Sequence, residues 1–211
     1  MKKNLMASFA LLPILAVGIS TAQAAAPTAE LKVTGTLTVP SCTVTSANDG
    51  VYEIGKISAT MVKPAANTPL ETMSKTWTIT CDAETYLNFK PVDNRADTAS
   101  LAAAANFGLG SVNTTGKIGY YTVAMKNATV DGASSSVFSS ATSSITSTTA
   151  TNISTANRSG WSAGTLQKSG KVFTADLDVT PTLASSAMMN GPVTEDSDID
   201  GSLTLNFAYG I

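Results

Sequence analysis

Cys42 and Cys81 carry the most definite chemistry in this sequence, because they are its only two cysteines. In an oxidising compartment such a pair normally closes a disulfide. It cannot complete a closed zinc site of the usual kind, since the chain has no histidine and no further cysteine to reach four ligands. In the chain-entropy picture, a bridge closing about forty residues restricts the unfolded state by about 3.9 kcal/mol.

The other candidate chemistries fall away on inspection. A serine or cysteine hydrolase of the common kind needs a base for its nucleophile, usually histidine, and there is none. Ser-Lys and carboxylate mechanisms stay open in principle, but many of the acids sit in turn-like contexts and cannot be paired from sequence. We assign no catalytic residue, no metal site and no cofactor. Gly110 to Lys117 imitates a phosphate loop, yet five residues rather than four separate Gly110 from Gly116, and Ile118 stands where Ser or Thr should hold magnesium. It reads as a turn before a strand. Asp196, Asp198, Asp200 and Gly201 match the first half of a calcium loop, but the twelfth position is Phe207, which has no carboxylate. A solvated turn is the better reading. Four N-x-Ser/Thr sequons, at Asn113, Asn127, Asn152 and Asn157, are what chance produces in a chain so rich in Ser and Thr. Trp77 and Trp161 are of a type that stacks on sugars. Trp77 is in phase with Ile79 and is expected in the core, whereas Trp161 lies in a Ser- and Gly-rich stretch read as loop and stays open to either role.

The elements that must position these residues are strands. Leu31, Val33, Leu37 and Val39 alternate with Lys32, Thr34, Thr36 and Thr38, with Gly35 in phase, which is the two-residue period of a half-buried strand. Pro40 ends it. Trp77, Ile79 and Cys81 repeat that period. Further strands are expected at Val51 to Ile54, Tyr86 to Lys90, Ile118 to Met125, Val172 to Val179 and Leu203 to Tyr209, about seven in all. Asn48-Asp49-Gly50, Asp131-Gly132, Asn190-Gly191-Pro192 and Asp200-Gly201 punctuate them as turns. The alanine run Leu101 to Ala105 lacks an amphipathic face and is taken as loop or a single turn. Ala133 to Ser159 is almost wholly small and polar, with Val137, Phe138, Ile145 and Ile153 too sparse to define a face. It is either a long loop or a pair of polar edge strands. Many short strands between such turns indicate an all-β sandwich or barrel.

The chain opens Met1-Lys2-Lys3, continues apolar to about Ile19 and reaches Ala22-Gln23-Ala24, the three parts of a secretory signal peptide in order. Residues 1–24 are expected to be removed, leaving residues 25–211 as a single domain of 187 residues. The signal takes Lys2 and Lys3 of the 13 Lys and Arg, so 11 face 15 Asp and Glu, a net charge of −4. That balance attracts neither nucleic acid nor anionic lipid. No later stretch has the roughly twenty apolar residues of a membrane-spanning helix.

Three features together resemble the pilin-type subunits of fimbriae assembled by the chaperone-usher pathway. They are Val33-Thr34-Gly35-Thr36-Leu37-Thr38-Val39-Pro40-Ser41-Cys42, the strand ending at Cys81, and the terminal Gly201-Ser202-Leu203-Thr204-Leu205-Asn206-Phe207-Ala208-Tyr209. Within that class, Val92-Asp93-Asn94-Arg95-Ala96, Phe107-Gly108-Leu109-Gly110 and Lys117-Ile118-Gly119-Tyr120 are similar to the uncharacterised GltF-like family found with beta-type fimbriae. The resemblance implies an immunoglobulin-like sandwich lacking its final strand, with a groove beside Leu203, Leu205, Phe207 and Tyr209. It also implies a donor segment ahead of the first strand, here Ala25, Pro27, Ala29 and Leu31. The implied partners are a periplasmic chaperone, an outer-membrane usher and neighbouring fimbrial subunits, in the periplasm and then in a cell-surface fimbria. Two departures stand out. Gly210 and Ile211 follow the terminal aromatic, and the donor segment is short and filled with Ala and Pro. The implied function is that of a structural, minor or adhesive subunit of a surface fimbria. The rival expectation is a self-complete secreted or periplasmic binding domain, for instance for carbohydrate, using loops around Trp161.

Overall fold

The computed structural model describes residues 26–210. The expected signal peptide, residues 1–24, lies outside the described residues, as do Ala25 and Ile211. Fourteen strands are present among the described residues: β1 (Cys42–Ser46), β2 (Thr68–Pro69), β3 (Met73–Asp93), β4 (Phe107–Gly108), β5 (Ser111–Val112), β6 (Gly116–Lys117), β7 (Gly119–Val130), β8 (Ala133–Ser134), β9 (Ser136–Ser140), β10 (Ala150–Asn152), β11 (Arg158–Ala163), β12 (Leu166–Gln167), β13 (Ser169–Leu183) and β14 (Leu203–Tyr209). The only helical pieces described are three short 3-10 turns, and Leu101 to Ala105 forms no helix. No helix among the described residues is long and apolar enough to cross a membrane.

The protein is an all-β sandwich with one disulfide, curled around a shared strand. That strand is β3. Its first part pairs antiparallel with β13 on one edge and β1 on the other, through Phe173↔Ile79 and Val44↔Ile79. Its second part pairs with β14 and, at Asn88 and Phe89, with β11. The expected strands at Trp77–Cys81 and Tyr86–Lys90 are therefore one element. Between them the ladder slips: Thr80 faces Val172 and Thr85 faces Gly170, so four residues of β3 stand opposite Lys171 alone. The amides of Lys171 and Val172, freed by this bulge, both donate to Asp131 Oδ1, at 3.0 and 2.8 Å. Those bonds, Val172 first, hold the Asp131 carboxyl below the usual carboxylate range. Asp131 and Gly132 have positive φ of 51° and 77°, as the two-residue turn from β7 to β8 requires.

On the far side of β13 lies β7, and beyond it β10. Ile79, Met125, Phe173 and Leu177 point inward from this half, and Leu87, Phe89, Val137 and Trp161 meet them from the other. Trp161 joins the halves: its ring lies 5.2 Å from Phe173 and 6.4 Å from Phe89, and its Nε1 donates to the Thr174 carbonyl at 2.7 Å. With 1% exposure it is a core residue on β11, not a loop aromatic, which corrects the reading of this region as a loop. Within Ala133 to Ser159 three short strands, β8, β9 and β10, and the start of β11 alternate with loop, and Val137, Phe138 and Ile153 are each buried. Adjacent Val137 and Phe138 point to opposite faces, so β9 is covered on both. A two-sided burial has no period to read.

Two expected strands are absent. Val51 to Ile54 is in no ladder, and neither is any residue from 26 to 41. Leu31, Val33, Leu37 and Val39 are 86, 90, 103 and 79% exposed. Alternation supplies a face, but a strand also needs a hydrogen-bonding neighbour and a surface to pack on. The ladder with β3 begins only at Cys42, paired directly with Cys81, beyond Pro40.

Replacing both Cys42 and Cys81 with serine should lower stability by about 2–4 kcal/mol, the cost typical of losing such a bridge, read as a fall in the urea midpoint. Acid should also weaken the fold. Asp176, bonded by Thr76 and then Asn127, is held low like Asp131. A carboxyl depressed in the folded state contributes fully at neutral pH, and its contribution is lost as pH falls below about 4 toward the folded value. The double variant Asp131→Asn/Asp176→Asn should show a flatter decline of the urea midpoint between pH 6 and pH 3 than the wild type.

Candidate strand-addition site

Along β14, Leu203, Leu205, Phe207 and Tyr209 alternate with Thr204, Asn206 and Ala208, the pattern of a strand with one face on a core. Leu203, Leu205 and Phe207 are half-buried against the core, with Phe207 5.4 Å from Phe89, while Tyr209 at the far end is 42% exposed. One edge of β14 is fully engaged, from Leu203↔Asp93 to Tyr209↔Leu87. The Gly210 amide extends it to the Tyr86 carbonyl at 3.1 Å, and Asn88 Nδ2 holds the Gly210 carbonyl at 3.2 Å. The other edge has no ladder partner among the described residues. A free edge carrying an apolar face is a template for another strand.

Beside β14 lies a cavity of about 370 Å³. Leu203 and Leu205 form one wall, the inner-face residues Trp77 and Leu177 another, and Tyr52 and Ile54 a third. A wider cleft of about 890 Å³ shares Tyr52, Ile54 and Ile199 with it. Tyr121 also lines the smaller cavity, and burial, then the Asp93 charge, push its phenol far above the ordinary value, so it stays neutral.

The start of β14 is set by a corner built from the internal motifs. Asp93 accepts the amide of Arg95 at 2.8 Å on one oxygen and that of Gly108 at 2.9 Å on the other. Thr98 Oγ1 donates to the Arg95 carbonyl at 2.8 Å and accepts the Gly110 amide at 3.0 Å. Arg95 Nε pairs with Asp200 Oδ2 at 2.9 Å, and Asn94 Nδ2 donates to Ser202 and Thr204 hydroxyls at 2.9 and 3.0 Å. Gly108 is obligatory, because a Cβ there would run into the Arg95 carbonyl oxygen. Lys117 Nζ donates to the Ala99 carbonyl and the Ser100 amide to Gly119, tying the third motif to the same corner. Asp200 is thus an ion-pair partner of Arg95 rather than a free turn residue, and no group of three or more metal-ligating side chains is gathered among the described residues. Gly110 to Lys117 folds as a hairpin of β5 and β6, with Asn113 and Thr114 at positive φ.

Of the expected donor residues, Ala25 lies outside the described residues, and Pro27, Ala29 and Leu31 belong to no strand and are exposed. The cavity wall formed by Tyr52 and Ile54 was not foreseen as part of the site. Its one sequence signal, their two-residue spacing, reads as an ordinary strand.

A family model described as "Protein of unknown function (DUF1120)" matches residues 31–106. That stretch takes in the exposed run from Leu31, the disulfide, all of β3 and the Asp93–Arg95 side of the corner, and stops just before Phe107. No curated protein and no solved structure matches the chain.

Gly108→Ala should cost about 1–3 kcal/mol or more through overpacking against backbone, whereas Asp200→Asn, which breaks only a half-exposed ion pair, should cost under about 1 kcal/mol. Urea denaturation of the two variants side by side measures both.

Proposed function

We propose that this protein is exported to the periplasm and serves as a subunit of a surface fimbria, joined to its neighbours by strand addition, with a periplasmic chaperone and an outer-membrane usher as assembly partners. One observation carries the reading: among the described residues β14 has a ladder partner on one edge only and borders a cavity lined mainly by apolar residues, while the same chain holds an exposed, alternating apolar run outside any ladder. In strand addition the main chain supplies affinity and alternate side chains entering pockets supply specificity. An extended run with Leu31, Val33, Leu37 and Val39 on one side offers larger groups than Ala25, Pro27 and Ala29, so the donor is best placed at Leu31–Val39, nearer to Cys42. Gly35 in its middle supplies a side-chain-free position in phase with the apolar set. A chain able both to donate and to accept suits the body of a fibre better than its tip.

The rival reading, a self-complete carbohydrate-binding domain, drew on Trp161, whose ring lies inside the core and offers no face to a ligand. No catalytic role is proposed.

The test uses the chain lacking residues 25–40 and a synthetic peptide spanning Leu31–Val39. The peptide is expected to bind, and Val33→Arg or Leu37→Arg in it should weaken binding at least tenfold by leaving a charge against an apolar wall. The full-length mature chain should accumulate in the periplasm only with its chaperone. A stable monomer, indifferent to both chaperone and peptide, would sink the proposal.

A further inference from the structure

We infer that residues 51–57 are a displaceable strap that holds the groove beside β14 closed in the unpaired subunit, and that an incoming strand enters by pushing this strap out; the inference rests on the strand-addition reading of that groove. Tyr52, Ile54 and Ile57 are half-buried, while Val51, Glu53, Gly55 and Lys56 are exposed. Tyr52 and Ile54 therefore point inward from alternate positions as in a strand, and Ile57 turns in beyond Gly55 out of that phase. Yet the segment enters no ladder, and among the described residues no backbone hydrogen bond reaches 52–57. Extended backbone that is packed but unladdered sits at the low end of local stability.

Its hold is a latch made by one side chain. The Tyr52 hydroxyl accepts from Trp77 Nε1 at 3.1 Å and donates to the Leu177 carbonyl at 2.9 Å. Lys75 Nζ sits 5.5 Å from the centre of the Tyr52 ring and donates to the Ala47 carbonyl at 3.0 Å, pinning the turn that precedes the strap. Gly50 and Gly55 have φ of +80° and +74°, conformations that L side chains rarely adopt, and they break the segment from its surroundings at one end and within. A side chain at Gly50 would meet the Trp77 ring 2.7 Å away, so the turn and the tyrosine close on the same indole.

The space available decides that the strap must move. A volume of about 370 Å³ lies near the lower end of pockets for drug-sized ligands. A strand of nine residues with its backbone is larger than such a ligand. Ile199, Gly201 and Ser202 also line that space from outside any ladder, but backbone bonds from the Asn94 amide to the Ser202 carbonyl and from the Asp200 amide to the Leu109 carbonyl hold that stretch, so the wall of Tyr52 and Ile54 is the one free to yield.

The experiment follows trypsin cleavage after Lys56 in the mature chain, with cleavage after Lys126 in β7 as the measure of global opening. Tyr52→Phe keeps the ring and removes both latch bonds. It should raise the Lys56 cleavage rate about tenfold, the consequence of losing two intramolecular hydrogen bonds of modest net strength, with Lys126 unchanged. Saturating Leu31–Val39 peptide, added to the chain lacking residues 25–40, should raise Lys56 cleavage likewise, and Tyr52→Phe should speed peptide association several-fold while leaving dissociation unchanged. If the peptide binds but Lys56 stays as protected as Lys126 and Tyr52→Phe leaves the association rate unaltered, the strap is overturned and strand addition stands. If the peptide binds neither the wild type nor Tyr52→Phe, strand addition fails and the strap fails with it.

Discussion

Everything in this fold hangs on β3 being hydrogen-bonded along both edges while it passes from one half of the sandwich to the other. Ile79, for instance, faces Val44 on one side and Phe173 on the other. A one-residue slip of such a strand would turn its whole inward set to solvent, so its register must be pinned. The disulfide does this where the strand is about to bend: Cys42 lies directly opposite Cys81, and Ser41 and Asp82 exchange bonds of 2.9 and 3.0 Å immediately beyond. Past that point come the bulge opposite Lys171 and then the stretch that receives β14. The bridge therefore stabilises more than a loop. It fixes where β1 starts and where β14 has its place on β3.

The terminal strand is held at both ends but along one edge only. At its start the Asp93–Arg95–Asp200 corner, with glycine forced at 108 by the Arg95 carbonyl, sets the angle at which the chain enters. At its end Asn88 takes the Gly210 carbonyl. Position and direction are thus settled by β3 and the corner, and the opposite edge has no ladder partner among the described residues while the apolar face of β14 borders a cavity. An edge arranged that way is an aggregation hazard unless something covers it.

The low charge and abundant threonine have their place on the other face of the large sheet. Thr45, Thr78, Thr174 and Thr129 stand in one row across β1, β3, β13 and β7, with the last two hydroxyls 2.6 Å apart. Thr76, Asp176 and Asn127 continue the bonding nearby. β-branched, hydroxylated side chains suit a pleated surface with water on one side, so a chain of this composition builds strands without long charged residues.

The amino-acid sequence by itself determined the all-β class, the disulfide, and the strands at β7, β13 and β14, because each depends on local facts: a two-residue period, turn residues, or the presence of only two thiols. It could not decide which alternating runs become strands. Leu31–Val39 and Tyr52–Ile54 alternate as cleanly as Leu203–Phe207, yet only the last finds a ladder, since pairing depends on which edge of β3 is free and not on the run itself. Nor could it place Trp161, whose Ser- and Gly-rich neighbours suggest a loop, or Val137 and Phe138, whose burial on both faces erases the period. The corner motifs were visible as strings of letters, but their role came from three separated segments meeting around Asp93. Periodicity is a property of neighbours along the chain, whereas hydrogen-bond partners and burial are properties of neighbours in space, and only the tertiary structure supplies those.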